Sequence, residues 1–115
     1  MLWLPMDTYY HRHDLSKFPE MGANAPELAK KFFDWYGAVF ADGALTAREK
    51  ALVALGVAHS VQCPYCIDAY TQDLLGKGCD LDQVTEVVHV AAAIRGGASL
   101  VHGVQMRNTA QQLSM

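Results

Sequence analysis

Three short stretches each mark the start of a helix, and together they leave little room for a sheet. "TARE" at 46–49 and "DLDQ" at 80–83 are capping boxes. Thr46 with Glu49, and Asp80 with Gln83, satisfy each other's free backbone N–H groups at a first helical turn. The third is "CP" at 63–64. The residue before a proline is biased away from helical angles, whereas a proline suits a first turn. One helix therefore runs from Thr46 to about Val61, and a second begins with Cys63 as its cap and ends around Gly76 to Gly78. On the first, Leu52, Leu55 and His59 share a face, with Ala51 and Ala58 beside them.

The flanking segments extend the pattern. In "NAPELAKKFFDWYGAVF", Asn24 is the expected cap and Pro26 lies in the first turn. Leu28, Phe32, Phe33, Tyr36, Val39 and Phe40 then recur at helical spacing. After Asp80, "VTEVVHVAAAI" reads as a helix ending at Gly96 and Gly97, with a last helix from Ala98 that frays after Met106. Residues 1 to 25 show no period and contain Pro5, Pro19 and Gly22, so an irregular arm is expected there. With no convincing alternation anywhere, the class is all-α, in one domain spanning 1–115.

Composition excludes several classes. The chain is 51% apolar and 18% charged, which describes a globular protein rather than a disordered one. Its formal charge of −3 provides no general attraction to nucleic acid or to an anionic membrane. "MLWLPMD" lacks the basic flank of a secretory signal. The longest uncharged stretch, 51–67, is interrupted by polar residues and is a poor membrane span. Three cysteines form no disulfide framework of the secreted type, so a cytosolic location is expected. The helix after Asp80 carries Leu81, Val84, Val87, Val88, Val90, Ala91 and Ile94, more apolar circumference than one core-facing stripe requires. A homo-oligomer is expected, with "MLWLPM" docked across a subunit boundary.

The chemistry concentrates in "CPYCIDAY", 63–70. At about 100° per residue, Cys63, Cys66 and Tyr70 fall within a sector of about 60° on the new helix. Both thiols sit in its first turn, where free N–H groups and the helix dipole favour a thiolate. The C-x-x-C spacing also permits a disulfide within one turn, so the pair is equipped for two-electron redox chemistry. A zinc site would need His59, Cys63, Cys66 and Cys79. Thirteen residues of helix separate Cys66 from Cys79 by about 20 Å, so that set does not close, and no metal or cofactor is expected. Packing of both cysteines as small buried apolar groups is the remaining alternative.

From Leu45 to His102 the chain resembles the AhpD-like alkylhydroperoxidases of the carboxymuconolactone decarboxylase family. "REKAL", "CPYCI" and "AAAIRGGASLVHG" carry the likeness, which extends to a peroxidase-like subgroup associated with arsenosugar biosynthesis. The resemblance implies an all-α fold with a helix-turn-helix core around the Cys pair. It also implies trimers or hexamers, and either reduction of hydroperoxides or electron transfer between dithiols. The decarboxylase branch typically lacks the pair. The family's peroxidase pattern places a Glu twelve residues before the first Cys and a His four after the second; here these positions are Ala51 and Tyr70.

Two residues stand in for that relay. Tyr70 can donate a proton to a leaving oxygen, or it is an ordinary half-buried tyrosine. His59 can take the thiol proton, or it is a core histidine bonded to a backbone carbonyl. Glu49 is a cap. Helix-end electrostatics favour Cys63 as the attacking thiol, whereas the resemblance makes Cys66 peroxidatic and Cys63 resolving; the resemblance is followed. The expected protein is a thiol-dependent peroxidase using Cys66, Cys63, His59 and Tyr70, with a hydroperoxide substrate and an external dithiol reductant. The alternatives are a non-catalytic oligomeric binding protein of the same fold and a general dithiol–disulfide oxidoreductase.

Overall fold

A computed structural model describes residues 10–114. Its elements are a 3-10 segment Arg12–Gly22, α1 Pro26–Phe40, α2 Ala47–Val61, α3 Pro64–Gly76 and α4 Leu81–Leu113, and the described residues contain no strand.

Both capping boxes form. Thr46 Oγ1 accepts the Glu49 N–H at 3.1 Å while Glu49 Oε1 accepts the Thr46 N–H at 2.9 Å. Asp80 and Gln83 do the same, each at 2.9 Å. Cys63 caps α3 and Pro64 takes its first position. Between α2 and α3 the chain reverses at Gln62, whose φ of 57° lies in the left-handed region. For a side-chain-bearing residue that conformation costs about 1–2 kcal/mol. Here it brings the Cys63 N–H back onto the Ala58 carbonyl at 3.0 Å, ending α2 and aiming α3.

α2 lies at the centre, packed on α3 and on the first half of α4. The core joins Ala51 and Leu55 of α2, Leu74 of α3, Cys79 and Val84, with Leu52, Tyr70 and Val87 around them. Gly56 faces α4 without being required for the approach: a Cβ there would meet Val87 Cγ1 at 3.6 Å, ordinary contact. Of the expected face of Leu52, Leu55 and His59 only Leu55 is buried; Leu52 and His59 are half-buried, and Ala51 and Ala58 beside them complete the buried stripe.

Three expectations are corrected. Asn24 does not cap α1; Ala25 holds that position without a side-chain bond. The turn of the 3-10 segment continues through Ala25 (N–H to the Gly22 carbonyl, 3.3 Å), and Pro26 has no N–H that needs a partner. The arm is not wholly irregular, since Arg12–Gly22 winds into a 3-10 helix with Pro19 inside it; the "MLWLPM" stretch lies outside the described residues. Finally, α4 does not break at Gly96 and Gly97 but runs unbroken for 33 residues. Each glycine costs about 1 kcal/mol relative to alanine in a helix, but no proline follows. Neither takes a positive φ, unlike Gly78 at 87°, so the hydrogen-bond ladder continues.

The uninterrupted α4 dominates the outline. Among its residues only Val84 and Ala91 are buried. Its most apolar 18-residue window has a mean hydropathy of 1.3, so by length and composition alone it is able to cross a membrane. The radius of gyration is 19.6 Å, against about 13–14 Å for a compact domain of this length.

Candidate active site around Cys63 and Cys66

The N–H groups at the start of α3 set the position of the thiols. Cys63 Sγ accepts the Cys66 backbone N–H at 3.3 Å, and the two Sγ atoms lie 2.7 Å apart in hydrogen-bond contact. All three cysteines are free thiols. One turn on, the Tyr70 hydroxyl shares a hydrogen bond with the Tyr36 hydroxyl of α1. The Tyr70 ring stacks on Phe40, with centroids 5.2 Å apart and planes inclined at 27°.

Cys66, Tyr36 and Tyr70 form the wall between two apolar cavities. One, of about 530 Å³, opens between α1 and α2 and is lined by Val39, Phe40, Val53 and Val57. The other, of about 580 Å³, lies beneath the 3-10 segment, which contributes Leu15, Phe18 and Met21 opposite Cys63 and Tyr65. A reactant in either cavity meets Cys66, whereas Cys63 faces only the second.

Electrostatics modify the sequence expectation. Burial, reinforced by the Cys63 thiol beside it, pushes the Cys66 thiol up to about 11. For Cys66 the removal of water outweighs the favourable helix end. Burial and the hydrogen bond to Tyr36 also raise Tyr70 well above the ordinary phenol value. Tyr70 therefore stays protonated at neutral pH and is no base there; it holds its proton more tightly than an ordinary phenol and yields it only to a strongly basic oxygen such as an alkoxide.

His59 sits elsewhere. Its Nδ1 donates to the Leu55 carbonyl at 2.9 Å, and the ring lines a separate concavity with Gln62, Pro64, Ile67 and Asp68. It borders neither cavity that Cys66 lines. Of the four residues singled out, the structure thus brings together Cys63, Cys66 and Tyr70 and leaves His59 on another wall. Ala51 is buried in the core. Glu49 is occupied by its cap, whose hydrogen bonds hold its carboxyl below the usual range. Cys79 is buried beside Leu74 and Val84, and the described residues contain no cluster of three or more His, Cys, Asp or Glu disposed to hold a metal. Arg95 reaches the Ser60 carbonyl at 3.2 Å, while His89 and His102 are exposed.

Two residues at the site escaped sequence reasoning. Tyr36 counted only as an apolar position on α1; the available signal was its hydroxyl, which needs a partner when it is drawn inside. Asp68, two residues after Cys66, collects the anchor of the N-terminal segment. Arg12 Nε donates to both carboxylate oxygens at 3.0 and 2.7 Å, and Arg12 Nη2 donates at 2.6 Å. The Tyr10 hydroxyl adds a bond of 2.7 Å and Gln72 one of 3.0 Å. These donors, Arg12 first, hold the Asp68 carboxyl far below the carboxylate range. Its main partners lie 56 and 58 residues away, beyond any local pattern.

Comparison with known proteins agrees with this architecture. The chain is 30% identical to a structural-genomics protein from Methanobacterium thermoautotrophicum, with a TM-score of 0.70 over 73% of this chain and 94% of that one. It is 29% identical to the apo form of a carboxymuconolactone decarboxylase family protein from Legionella pneumophila, with a TM-score of 0.67 over 81% and 84%. It is also 45% identical over 64 residues to uncharacterized protein 4 in the cox locus of Paracoccus denitrificans, a match covering 56% of this chain and 58% of that relative's length. The family model for carboxymuconolactone decarboxylases, a family that includes decarboxylases and AhpD-like peroxidases, matches residues 26–106, from the start of α1 to deep within α4. On this match the chain belongs to the carboxymuconolactone decarboxylase family.

Proposed function

We propose that the protein is a thiol-dependent peroxidase that reduces hydroperoxides through a Cys63/Cys66 dithiol–disulfide cycle. The observation that carries this reading is the contact between the two thiols at the wall of an apolar cavity, with a protonated tyrosine one turn away. The Cys66 thiolate attacks the outer peroxide oxygen; an S–O bond forms, the O–O bond breaks, and Cys66 becomes a sulfenic acid. Tyr70 gives its proton to the departing alkoxide and recovers one from solvent. The Cys63 thiolate then attacks Cys66 Sγ; the S–S bond forms, the S–O bond breaks, and the sulfenic oxygen leaves as hydroxide, which takes a proton from solvent to become water. An external dithiol returns two electrons by thiol–disulfide exchange. His59, bonded to its own helix, has no step in this cycle, and the Cys66 proton passes to a solvent base. The cycle needs a reducing compartment, and we place it in the cytosol.

The test is a thiol titration before and after one equivalent of hydroperoxide, followed by mass mapping. Three titratable thiols should fall to one, with Cys63 linked to Cys66 and Cys79 free. A Cys79 disulfide, or three surviving thiols, would overturn the reading.

The working form in this proposal is a homo-oligomer, a trimer or a hexamer. From Ala92 to Leu113 every residue of α4 except Gly103 is exposed, including Ile94, Leu100, Val101 and Val104. An isolated subunit leaves that surface in water, whereas burying it gains about 25 cal/mol per Å² of apolar area. Light scattering at micromolar concentration should return several times the mass of the 12.6 kDa chain. A monodisperse monomer would refute it.

A further inference from the structure

We infer that the 3-10 segment Arg12–Gly22 is the specificity element of this site, and that it selects uncharged hydroperoxides with an aryl or branched-alkyl body. The inference rests on the peroxidase reading above and adds the substrate class and the residues that choose it.

The segment lies ahead of the family match, which begins at residue 26. Half of the second cavity is therefore built by chain outside the family core. It is nevertheless held firmly against the thiols. At one end the Arg12 fork and the Tyr10 hydroxyl close on Asp68, on the same helix as Cys66, and the Tyr10 ring packs edge-on to Tyr65 at 4.7 Å. Further along, Phe18 packs on Phe33 of α1 at 5.0 Å. Gly22 closes the far end so tightly that a Cβ there would come within 2.9 Å of Ala29 Cβ. Leu15, Phe18 and Met21 thereby line the cavity opposite the sulfurs, with Phe18 and Met21 on its solvent side.

Size and charge define the ligand. The cavity of about 580 Å³ is of ligand size, whereas hydrogen peroxide occupies roughly the space of two waters at about 30 Å³ each. Its walls are phenylalanine, leucine, methionine and tyrosine; they hold an apolar body and offer little to a small polar molecule. The rim carries Asp14, Lys17 and Glu20. Lys17 is already paired with Asp14 at 3.2 Å, which leaves Glu20 to repel a carboxylate-bearing hydroperoxide. With cumene hydroperoxide in the cavity, attack by Cys66 gives the sulfenic acid and 2-phenyl-2-propanol, the alkoxide taking its proton from Tyr70.

The experiment has two arms. In the first, kcat/KM is measured for cumene hydroperoxide and hydrogen peroxide. The wild type should favour cumene hydroperoxide, and Phe18→Ala should reduce the ratio about tenfold by deleting aromatic contact. Arg12→Ala, which leaves the cavity wall intact but frees the segment, should reduce it in the same direction. In the second arm, 2-phenyl-2-propanol is titrated by NMR into the Cys63→Ser/Cys66→Ser protein, with and without Phe18→Ala. Saturable binding that weakens about tenfold on Phe18→Ala supports the inference. No saturable binding, binding unmoved by Phe18→Ala, or a wild-type preference for hydrogen peroxide overturns it. Absence of turnover with either peroxide sinks the peroxidase reading alone, and the alcohol titration then decides on the cavity.

Discussion

Cys66→Ser should abolish peroxide consumption, a loss on the order of 10³-fold or more, because the hydroxyl left behind is a far weaker nucleophile than the thiolate. Cys63→Ser should behave differently. It loses the resolving thiol but keeps the attacking one, so a single turnover should leave a sulfenic acid at Cys66, trapped by a dimedone-type reagent and located by mass mapping. A sulfenic acid at Cys63 in Cys66→Ser, with none at Cys66 in Cys63→Ser, would reverse the roles and restore the helix-cap argument. In the wild type the same assignment fixes the pH dependence. With the Cys66 thiol pushed up to about 11 by burial, the thiolate fraction grows about tenfold per pH unit below that value. The rate at limiting peroxide should therefore climb from pH 7 towards 11 rather than level off near 8. The folded value lies above the unfolded one of about 8.5, so the corresponding stability is present below that pH and is lost as the pH rises through about 11.

Leu74→Ala should cost about 2–5 kcal/mol, the range for a buried leucine whose cavity cannot collapse. Leu74 is fully buried at 0% exposure, at the meeting point of α2, α3 and the start of α4. Against a typical total of 5–15 kcal/mol, that is a large fraction. The measurement is the urea midpoint at fixed protein concentration. The midpoint should fall with little change in slope. A Leu74 variant with an unchanged midpoint would remove this residue from the core.

Local chemistry made most of the fold legible. Capping boxes and the Cys63–Pro64 junction depend on residues three apart or adjacent, and helix starts at Ala47, Pro64 and Leu81 follow from them. The same short range placed Cys63, Cys66 and Tyr70 on one face, because a helix start fixes the direction of the next two turns. The long α4 was misread for a related reason: a Gly-Gly pair weakens a helix, but without a proline or a positive φ it does not end one.

The remainder of the site depends on chain segments brought together from far apart. Tyr36 meets Tyr70 across 34 positions, and Arg12 meets Asp68 across 56, so no window of the sequence contains either pair. His59 shows the limit from the other side. Four residues before Cys63 it looks close to the thiols, but the imidazole is bonded to its own helix and lines a concavity with Pro64, Ile67 and Asp68 that neither thiol borders. The protonation of Cys66 was decided in the same way. A helix start is written locally and favours the thiolate, whereas desolvation is a property of everything packed around the sulfur, and in the folded chain it outweighs the dipole.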